Sequence, residues 1–435
     1  MELSSYVLFL SLSRLLIVQQ GAGKKGFGPG EQEWGYVTVR PGAHMFWWLY
    51  YVTPESYKLD VNGNASVYDK PLIIWLQGGP GSSSTAIGNF EEIGPIDVEG
   101  NLRNVTWVRD CNVLFVDNPV GAGFSYVDDI NLFAKNNLEI ATDLVECMMG
   151  FLTEFPGFKD VDIYIFSQSY GGKMASEFAL EWYKAQKAGN IQSNLKGVGL
   201  GNSWISPIDS MRSWAPFLFS VGAVDTRGKE AIEILVRDTE RATNEGSWKR
   251  AMNLYWDTAN LVSNLTSSMD FYNILEKVRV DGSSEEPTPL DRLMQTQVSA
   301  ALHVNVTWGN QSDHVLNHLE NDFMRNVTHI VKKLIDDTDL KIFVFSGQLD
   351  FIVATLGTVS WVEKLQENDD EWKNSPRKPL IVNNVVEGYQ KKSKNFEMYW
   401  INRAGHSVPA DNPIAAREML IHMIKGPSLV PVNGD

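Results

Sequence analysis

Residues 162–172 read Asp-Ile-Tyr-Ile-Phe-Ser-Gln-Ser-Tyr-Gly-Gly. The apolar run at residues 163–166 is rich in β-branched and aromatic side chains, which is typical of a buried strand. Small residues follow at once, and an amphipathic segment then runs from Lys173 to about Gln186. The pattern predicts a strand, a sharp turn and a helix, with Ser169 at the tip of the turn.

This turn resembles the nucleophile elbow G-x-S-x-G, in which a serine hydroxyl protrudes between a strand and a helix. The elbow needs small residues two positions before and after the nucleophile, because the two backbones nearly touch there. Ser167 and Gly171 meet that need, although Ser167 replaces the usual glycine. An ordinary Ser/Gly-rich loop would give the same short pattern. Whether Ser169 is a nucleophile therefore depends on residues elsewhere in the chain.

The composition is that of a globular protein with a large core. The chain has 435 residues, of which 43% are hydrophobic and 21% are charged. This size suits one large α/β domain with an insertion, or two domains. The formal net charge of −15 argues against a nucleic-acid partner. No CxxC or HExxH pattern occurs, so the sequence implies no metal and no other cofactor.

Residues 1–22 resemble a cleavable signal peptide. Positions 6–18 are mostly apolar, and small residues follow at positions 21–23, where cleavage is expected. The apolar run is too short to cross a bilayer and no later run is long enough, so we expect no membrane span. The interpretation is a soluble protein of the secretory pathway, either secreted or lysosomal.

Asparagine sequons support the secretory interpretation. Asn-x-Ser/Thr is the acceptor pattern for N-glycosylation and marks surface positions of secreted proteins. The six sequons begin at Asn64, Asn104, Asn264, Asn305, Asn310 and Asn326.

Two cysteines, Cys111 and Cys147, are too few for a disulfide framework. Either they pair with each other or both are buried thiols. Cys147 shares a helical pattern with Leu144, Met148 and Phe151, which favours the buried thiols.

Short strands alternate with helices along most of the chain. The predicted strands cover residues 33–39, 43–52, 72–76, 113–116, 163–166, 197–201, 341–345 and 396–401. The predicted helices cover residues 137–151, 173–186, 322–335 and 413–424. Polar and glycine-rich pieces follow the strands, and an α/β sheet has its active site at the C-terminal ends of its strands. We therefore expect these pieces to converge in space.

Residues 205–325 break this alternation. Strand signals become sparse there and helical patterns with scattered aromatic residues dominate. We predict a helical cap at residues 205–325, inserted into a core made of residues 23–204 and 326–435. A polar loop is expected at residues 367–379.

A nucleophilic serine needs a base, and the base needs an orienting acid. Asp350 follows the strand at residues 341–345, and His406 follows the strand at residues 396–401. With Ser169 they give the order Ser, Asp, His, which is the order of α/β-hydrolases. Alone, Asp350 fits a turn cap equally well. The other candidate histidines do not follow a late strand, as the base of this fold must. His44 precedes the serine, His303, His314 and His329 lie in the predicted insertion or its flanking helix, and His422 lies in the last helix.

An oxyanion hole needs a second backbone amide from a different loop. The pair Gly78 and Gly79, directly after the strand at residues 72–76, allows a close approach to a substrate carbonyl. A phosphate-binding loop is the alternative, but no Gly-Lys-Ser/Thr follows.

Five segments together are similar to the serine carboxypeptidase family, most closely to its retinoid-inducible and vitellogenic-like branches. The segments are residues 75–81, 90–95, 117–126, 167–173 and 404–409. The resemblance implies an α/β-hydrolase fold, with a mixed and mostly parallel sheet and a helical cap. It also implies release of single residues from peptide or protein C-termini through an acyl-enzyme. The sequence does not decide the oligomeric state, and a homodimer is left open.

The resemblance also implies roles for individual residues. Ser169 is expected to be the nucleophile, His406 the general base and acid, and Asp350 the orienting carboxylate. The backbone amides of Gly79 and Tyr170 are expected to form the oxyanion hole.

The family recognises the terminal carboxylate of its substrate with an Asn before the glycine pair and two Glu residues. The corresponding positions here are Gln77, Gln168 and Glu92. A Glu at position 168 would bind a carboxylate best when protonated, whereas Gln168 offers an amide donor at every pH. We therefore expect carboxylate recognition to depend less on acid, with Glu92 and His406 supplying the remaining pH dependence.

Two other functions stay open on the sequence alone. An esterase or an acyltransferase uses the same triad, although Gln77 and Glu92 favour a site for a carboxylate. A non-catalytic secreted binding or storage protein is the second alternative. The presence of Ser169, Asp350 and His406 together argues against it.

Overall fold

A computed structural model describes residues 23–53, 66–278, 287–309 and 312–425 of the chain. The predicted signal peptide and two of the sequons, Asn64 and Asn310, lie outside the described residues.

Eleven strands in the described chain form one sheet. They are β1 (Gln32–Arg40), β2 (Ala43–Tyr50), β3 (Leu72–Leu76), β4 (Asn112–Val116), β5 (Tyr126–Val127), β6 (Asp162–Gln168), β7 (Asn194–Gly201), β8 (Lys341–Gly347), β9 (Lys378–Val382), β10 (Val385–Ser393) and β11 (Phe396–Ile401). The order across the sheet is β1-β2-β4-β3-β6-β7-β8-β11-β10-β9, and β5 pairs with β2. The block from β4 to β11 is parallel, and the strands at both margins pair antiparallel.

Helices accompany the strands along the described chain. They are α1 (Asn137–Glu154), α2 (Tyr170–Lys187), α3 (Pro207–Ser220), α4 (Thr226–Asn244), α5 (Trp248–Thr266), α6 (Pro289–Leu293), α7 (Ser299–Leu302), α8 (Asp313–His318), α9 (Thr328–Asp337), α10 (Thr355–Leu365), α11 (Asp370–Asn374), α12 (Val408–Asp411) and α13 (Pro413–Lys425). Two π-helical segments are Ser84–Ile93 and Met294–Val298. No helix of the described residues combines the length and apolar character needed to cross a membrane.

The sheet is buried between two apolar cores. Leu72, Ile74 and Leu76 of β3 belong to one core, and Ile73 and Trp75 belong to the other. Successive side chains of a strand point to opposite faces, so a strand covered on both sides is apolar throughout. Helices α1, α2 and α9 pack on the first face, and α13 packs on the second.

Most predicted elements are present with ends shifted by a few residues, but the helix expected at residues 322–335 is shorter. It begins at Thr328. The Asn326 side-chain oxygen accepts hydrogen bonds from the Thr328 amide at 2.7 Å and hydroxyl at 2.6 Å. This local turn competes with helix and delays the helix start.

The polar loop expected at residues 367–379 is also wrong. It contains α11 and the first residues of β9, and the sequence analysis missed the whole β9–β10 hairpin. Asn383 and Asn384 connect the two strands with φ of 50° and 62°, as a tight two-residue hairpin turn requires. Most side chains of β9 are exposed, yet Leu380, Ile381 and Val382 are apolar, so the sequence does contain a short strand signal beside the turn.

Within residues 205–325, the described chain contains helices α3 to α8 and no strand of the sheet. Cys111 and Cys147 are both free and buried, as favoured. Burial raises the pKa of the Cys147 thiol to about 12.

Candidate active site

The junction of β6 and α2 is a strained elbow. Ser169 stands between the two elements with φ of 60° and ψ of −130°. A non-glycine residue in such a conformation costs about 1–3 kcal/mol and persists only where its surroundings impose it. Here the Ser169 amide donates to the Gly201 carbonyl at 3.0 Å, and its carbonyl accepts from the Trp204 amide at 2.9 Å. The end of β7 therefore holds the elbow in place.

The loop after β3 packs directly against this elbow. A Cβ added to Gly78 would lie 2.6 Å from the Ser169 Cβ and 2.9 Å from the Tyr170 nitrogen. A Cβ added to Gly171 would lie 2.5 Å from the Leu76 carbonyl oxygen. Only glycine fits at both positions, which gives the physical reason for the small residues around the serine.

Two backbone amides beside Ser169 are open to a ligand. Gly79 and Tyr170 line the same cavity as Ser169. Neither amide donates a hydrogen bond to another residue in the described ranges. The Tyr170 amide is also the first of α2, where the helix dipole favours negative charge.

An acid and a base meet beyond the C-terminal ends of β8 and β11. Asp350 is fully buried, and its Oδ2 lies 2.8 Å from Nδ1 of His406. This contact leaves Nε2 as the other ring nitrogen of His406. Among the described residues Nε2 has no hydrogen-bond partner, and His406 lines the cavity that holds Ser169. The structure thus brings Ser169 and His406 to one cavity, with Asp350 buried behind His406.

Asn202 belongs to this group as well, although the sequence analysis did not single it out. Its Nδ2 donates to Oδ2 of Asp350 at 2.6 Å, and its Oδ1 accepts from the Gly347 amide at 3.3 Å. The Val353 amide donates to the other Asp350 oxygen at 3.3 Å. Both oxygens of this buried carboxylate are therefore hydrogen-bonded. Its position in the sequence was the one sign of this role, because Asn202 directly follows strand β7, just as the other site residues follow their strands.

The loop that carries His406 is fixed by two further residues that were not predicted. The His406 amide donates to the Tyr272 carbonyl at 2.6 Å, and the two rings are 5.2 Å apart between centroids. The Gly405 amide donates to Oδ2 of Asp411 at 2.6 Å. Tyr272 belongs to the predicted insertion, so this segment touches the loop of the base directly.

The predicted carboxylate-binding residues separate into two groups. Nε2 of Gln77 donates to Oε1 of Glu92 at 3.1 Å, and Nε1 of Trp75 donates to Oε1 of Gln77 at 2.7 Å. Nε2 of Gln168 donates instead to the Ser407 hydroxyl at 3.1 Å. Gln77 and Gln168 both line the cavity, whereas Glu92 is not part of its lining. The structure therefore joins Glu92 to Gln77 and not to Gln168.

Trp75 and Glu92 together orient the Gln77 amide. An indole N–H is a donor only, so the oxygen of Gln77 must face Trp75 and its nitrogen must face Glu92. Burial raises the pKa of Glu92 to about 8, and the hydrogen bond from Gln77 opposes part of that rise. One N–H of Gln77 is used by Glu92, and the second is left for a ligand.

The cavity over these groups has a volume of about 770 Å³, within the range of small-molecule sites. In the described chain its acidic lining residues are Glu91 and Asp270, and it has no lysine or arginine in its lining. Aromatic side chains form much of its wall: Tyr170, Trp204, Tyr255, Trp256, Phe271, Tyr272 and Phe323.

The family description "serine carboxypeptidase" matches residues 23–426. This chain belongs to the serine carboxypeptidase family. The carboxypeptidase is 40% identical over 421 residues to the retinoid-inducible serine carboxypeptidase of Rattus norvegicus, covering 90% of this chain and 91% of the relative. It is 35% identical over 438 residues to serine carboxypeptidase-like 51 of Arabidopsis thaliana, covering 92% and 93%.

The fold agrees with this membership. A prohormone-processing carboxypeptidase of Saccharomyces cerevisiae has a TM-score of 0.78 and 22% identity to this carboxypeptidase, covering 91% of each chain. The predicted α/β-hydrolase fold is confirmed, as is the prediction of a hydrolase of the serine carboxypeptidase type. Peptide C-termini are accordingly its class of substrate.

The first turn of α2 in this carboxypeptidase contains a buried ion pair. Lys173 is fully buried, and its Nζ lies 2.7 Å from Oδ2 of Asp322 and 3.0 Å from the Arg325 carbonyl. The Tyr170 hydroxyl donates to the same Asp322 oxygen at 2.7 Å. Burial lowers the pKa of Lys173, while Asp322 acts in the opposite direction. The pair ties the helix that begins at the elbow to the chain just before α9.

Proposed function

We propose that Ser169, His406 and Asp350 carry out the peptidase reaction of this carboxypeptidase. Ser169 Oγ attacks the carbonyl carbon of the last peptide bond while Nε2 of His406 takes the hydroxyl proton. His406 then gives that proton to the amine of the departing residue, which leaves an acyl-enzyme for water to hydrolyse. The observation that carries this proposal is the 2.8 Å contact between His406 Nδ1 and Asp350 Oδ2, because it leaves Nε2, which has no partner among the described residues, as the nitrogen that can act as the base.

In this proposal the amides of Gly79 and Tyr170 stabilise the oxyanion that forms during attack. The second N–H of Gln77 and an N–H of Gln168 bind the terminal carboxylate of the substrate. Glu92 acts behind Gln77 by orienting it. The support is the hydrogen-bonded series Trp75, Gln77 and Glu92, which fixes the direction of one amide donor.

We also propose the division into a core of residues 23–204 and 326–435 and a cap of residues 205–325. The helices α3 to α8, with no strand of the sheet among the described residues between them, and the contact of Tyr272 with His406 support it. A place in the secretory pathway, secreted or lysosomal, is supported by four sequon asparagines that are exposed: Asn104, Asn264, Asn305 and Asn326.

The experiment that tests the reaction is mass spectrometry of an N-blocked peptide incubated with the purified protein at acidic and neutral pH. We expect stepwise loss of C-terminal residues, and no loss with Ser169→Ala. Cleavage that persists in Ser169→Ala would exclude this nucleophile. An intact peptide together with Ser169-dependent labelling by a fluorophosphonate would favour the esterase or acyltransferase.

A further inference from the structure

The loops that carry Asp350 and His406 also border a second cavity, of about 610 Å³. Gln348 and Arg403 line it and stand two and three residues before Asp350 and His406. Its remaining walls come from the ends of α3 and α10 and from β8, β10 and β11. None of its lining residues lines the active-site cavity. Its volume is that of a small-molecule site, about 300–1,000 Å³.

One arginine of this second cavity has no acidic partner among the described residues. Its charged lining residues in the described chain are two arginines, Arg377 and Arg403. Arg403 is paired with Glu387. Arg377 makes no hydrogen bond or ion pair with a residue in the described ranges. An unpaired cation in a concave site is the local feature that attracts an anion, even on a chain with a net charge of −15.

Arg377 is held in place by aromatic rings. Its guanidinium carbon lies 3.7 Å from the ring centroid of Tyr389 and 4.9 Å from that of Trp400. Stacking on rings restrains the long side chain before a ligand arrives, and it leaves the N–H groups free to donate. The guanidinium fork matches two oxygens of a carboxylate or a phosphate. The arrangement is therefore organised in advance for an oxyanion.

The same cavity also offers apolar surface. Phe217 and Leu356 line it, and Leu356 is 53% exposed. Covering such a side chain with an apolar group removes apolar surface from water, which favours binding. A ligand that fits both parts has an anionic end and an apolar end.

We propose that this second cavity binds a small organic anion, with its carboxylate or phosphate on Arg377 and its apolar body against Phe217 and Leu356. The site is independent of the active-site roles proposed above, because it shares no lining residue with that cavity.

Calorimetric titration of the full chain with phenyl phosphate tests this. We expect one molecule to bind, and Arg377→Gln to weaken binding at least about tenfold, as loss of a charged hydrogen-bonding partner does. The matched control is Lys378→Gln, which removes the same charge from the next residue, outside the cavity; its affinity should equal that of the unaltered chain. Leu356→Ser should weaken phenyl phosphate but not inorganic phosphate.

Further control experiments separate loss of binding at this cavity from misfolding and from effects of the active site. Arg377→Gln should retain the melting temperature and the peptide hydrolysis of the unaltered chain. Gln77→Leu should not change the affinity for phenyl phosphate. The proposal is overturned if Arg377→Gln binds phenyl phosphate as tightly as the unaltered chain, if Gln77→Leu abolishes binding, or if millimolar phenyl phosphate gives no binding at all.

Discussion

At the scale of single residues, the site depends on backbone contacts so close that a larger side chain cannot fit. Ser169 is pressed between the loop after β3 and the end of β7, and Gly78 touches it most closely. A side chain at Gly78 must therefore move the nucleophile or the Tyr170 amide.

Gly78→Ala should lower kcat/KM by at least about 100-fold, because a misplaced reacting group of this kind costs that much. The measurement is hydrolysis of an N-blocked peptide. Gly309→Ala is the matched control, since a Cβ there meets nothing within 4 Å. Unchanged kinetics of Gly78→Ala would show that the elbow does not need this close packing.

Asn202 is expected to position Asp350 and not to touch the substrate. Asn202→Gly removes the hydrogen bond to Asp350, and glycine tolerates the φ of 40° at this position. Loss of a hydrogen bond to a charged group is worth about 1.5–3 kcal/mol, so kcat should fall about 10–100-fold with little change in KM. If kcat falls equally in Asn202→Gly and Asn202→Ala, the loss of the side-chain amide is the cause. A change in KM alone would contradict a positioning role.

The triad was predictable because each member has its own chemistry and follows its own strand. Asn202 and Asp411 were not, because each acts through another residue and an amide or carboxylate in a loop has many ordinary uses. The hydrogen-bond partner of Gln168 could not be predicted from the sequence either. The Ser407 hydroxyl that it reaches is 239 positions away in the chain.

At the scale of elements, the first turn of α2 is secured by Lys173 and Asp322. Removal of one partner leaves the other charge buried and unpaired, which costs about 3–5 kcal/mol. Asp322→Asn should therefore lower the free energy of unfolding by that amount. It should also reduce activity, because an amide has one acceptor oxygen in place of the two that serve Tyr170, Lys173 and the Asn137 amide near the start of the helix.

Urea unfolding of three variants separates burial from charge. Asp336→Asn breaks the exposed pair with Lys332 and should cost at most about 1 kcal/mol. The double variant Lys173→Met/Asp322→Asn should recover much of the stability lost by Asp322→Asn alone. Additive losses in the double variant would mean that the two charges do not interact.

Buried strands such as β3 and β8 were evident because a strand covered on both faces is apolar throughout. The β9–β10 hairpin does have a signal in the sequence. Ile381, Val385 and Val386 are apolar and flank the turn at Asn383 and Asn384, although their side chains are exposed in the structure. Short β-branched runs around an Asn-Asn pair favour a hairpin, and the polar residues 367–379 before them obscured it.

At the scale of the whole molecule, Glu92 makes stability depend on pH. Its pKa rises from 4.5 to about 8 on folding. The folded state therefore keeps a proton that the unfolded state loses, and the stabilisation present below pH 4.5 is lost as the pH rises towards about 8. Glu92→Gln should lose less stability than the unaltered chain across this window, because other carboxyls whose pKa is raised by burial still titrate, and above the window it should be more stable than the unaltered chain by a few kcal/mol. The measurement is the free energy of unfolding across that pH range.

Glu99→Gln, at an exposed position, is the control and should follow the unaltered chain. A parallel pH dependence in Glu92→Gln and in the unaltered chain would show that Glu92 is not the group responsible.

The overall architecture was predictable from the alternation of strands and helices in the sequence. The order of the strands in the sheet was not predictable. Strand β3 lies between β4 and β6, an order that depends on which faces the helices cover. The cavity walls were equally unpredictable, because Tyr255, Tyr272 and Phe323 come from separate helices and loops.

The absence of lysine and arginine from the described lining of the active-site cavity affects what happens after each cleavage. Both products, the released residue and the shortened peptide, end in a carboxylate. Neutral amides such as Gln77 donate hydrogen bonds to a carboxylate but lack the Coulomb attraction that a lysine or arginine would add. We therefore expect weak product inhibition and distributive trimming, in which a peptide dissociates between rounds and partly shortened chains accumulate before the shortest ones form.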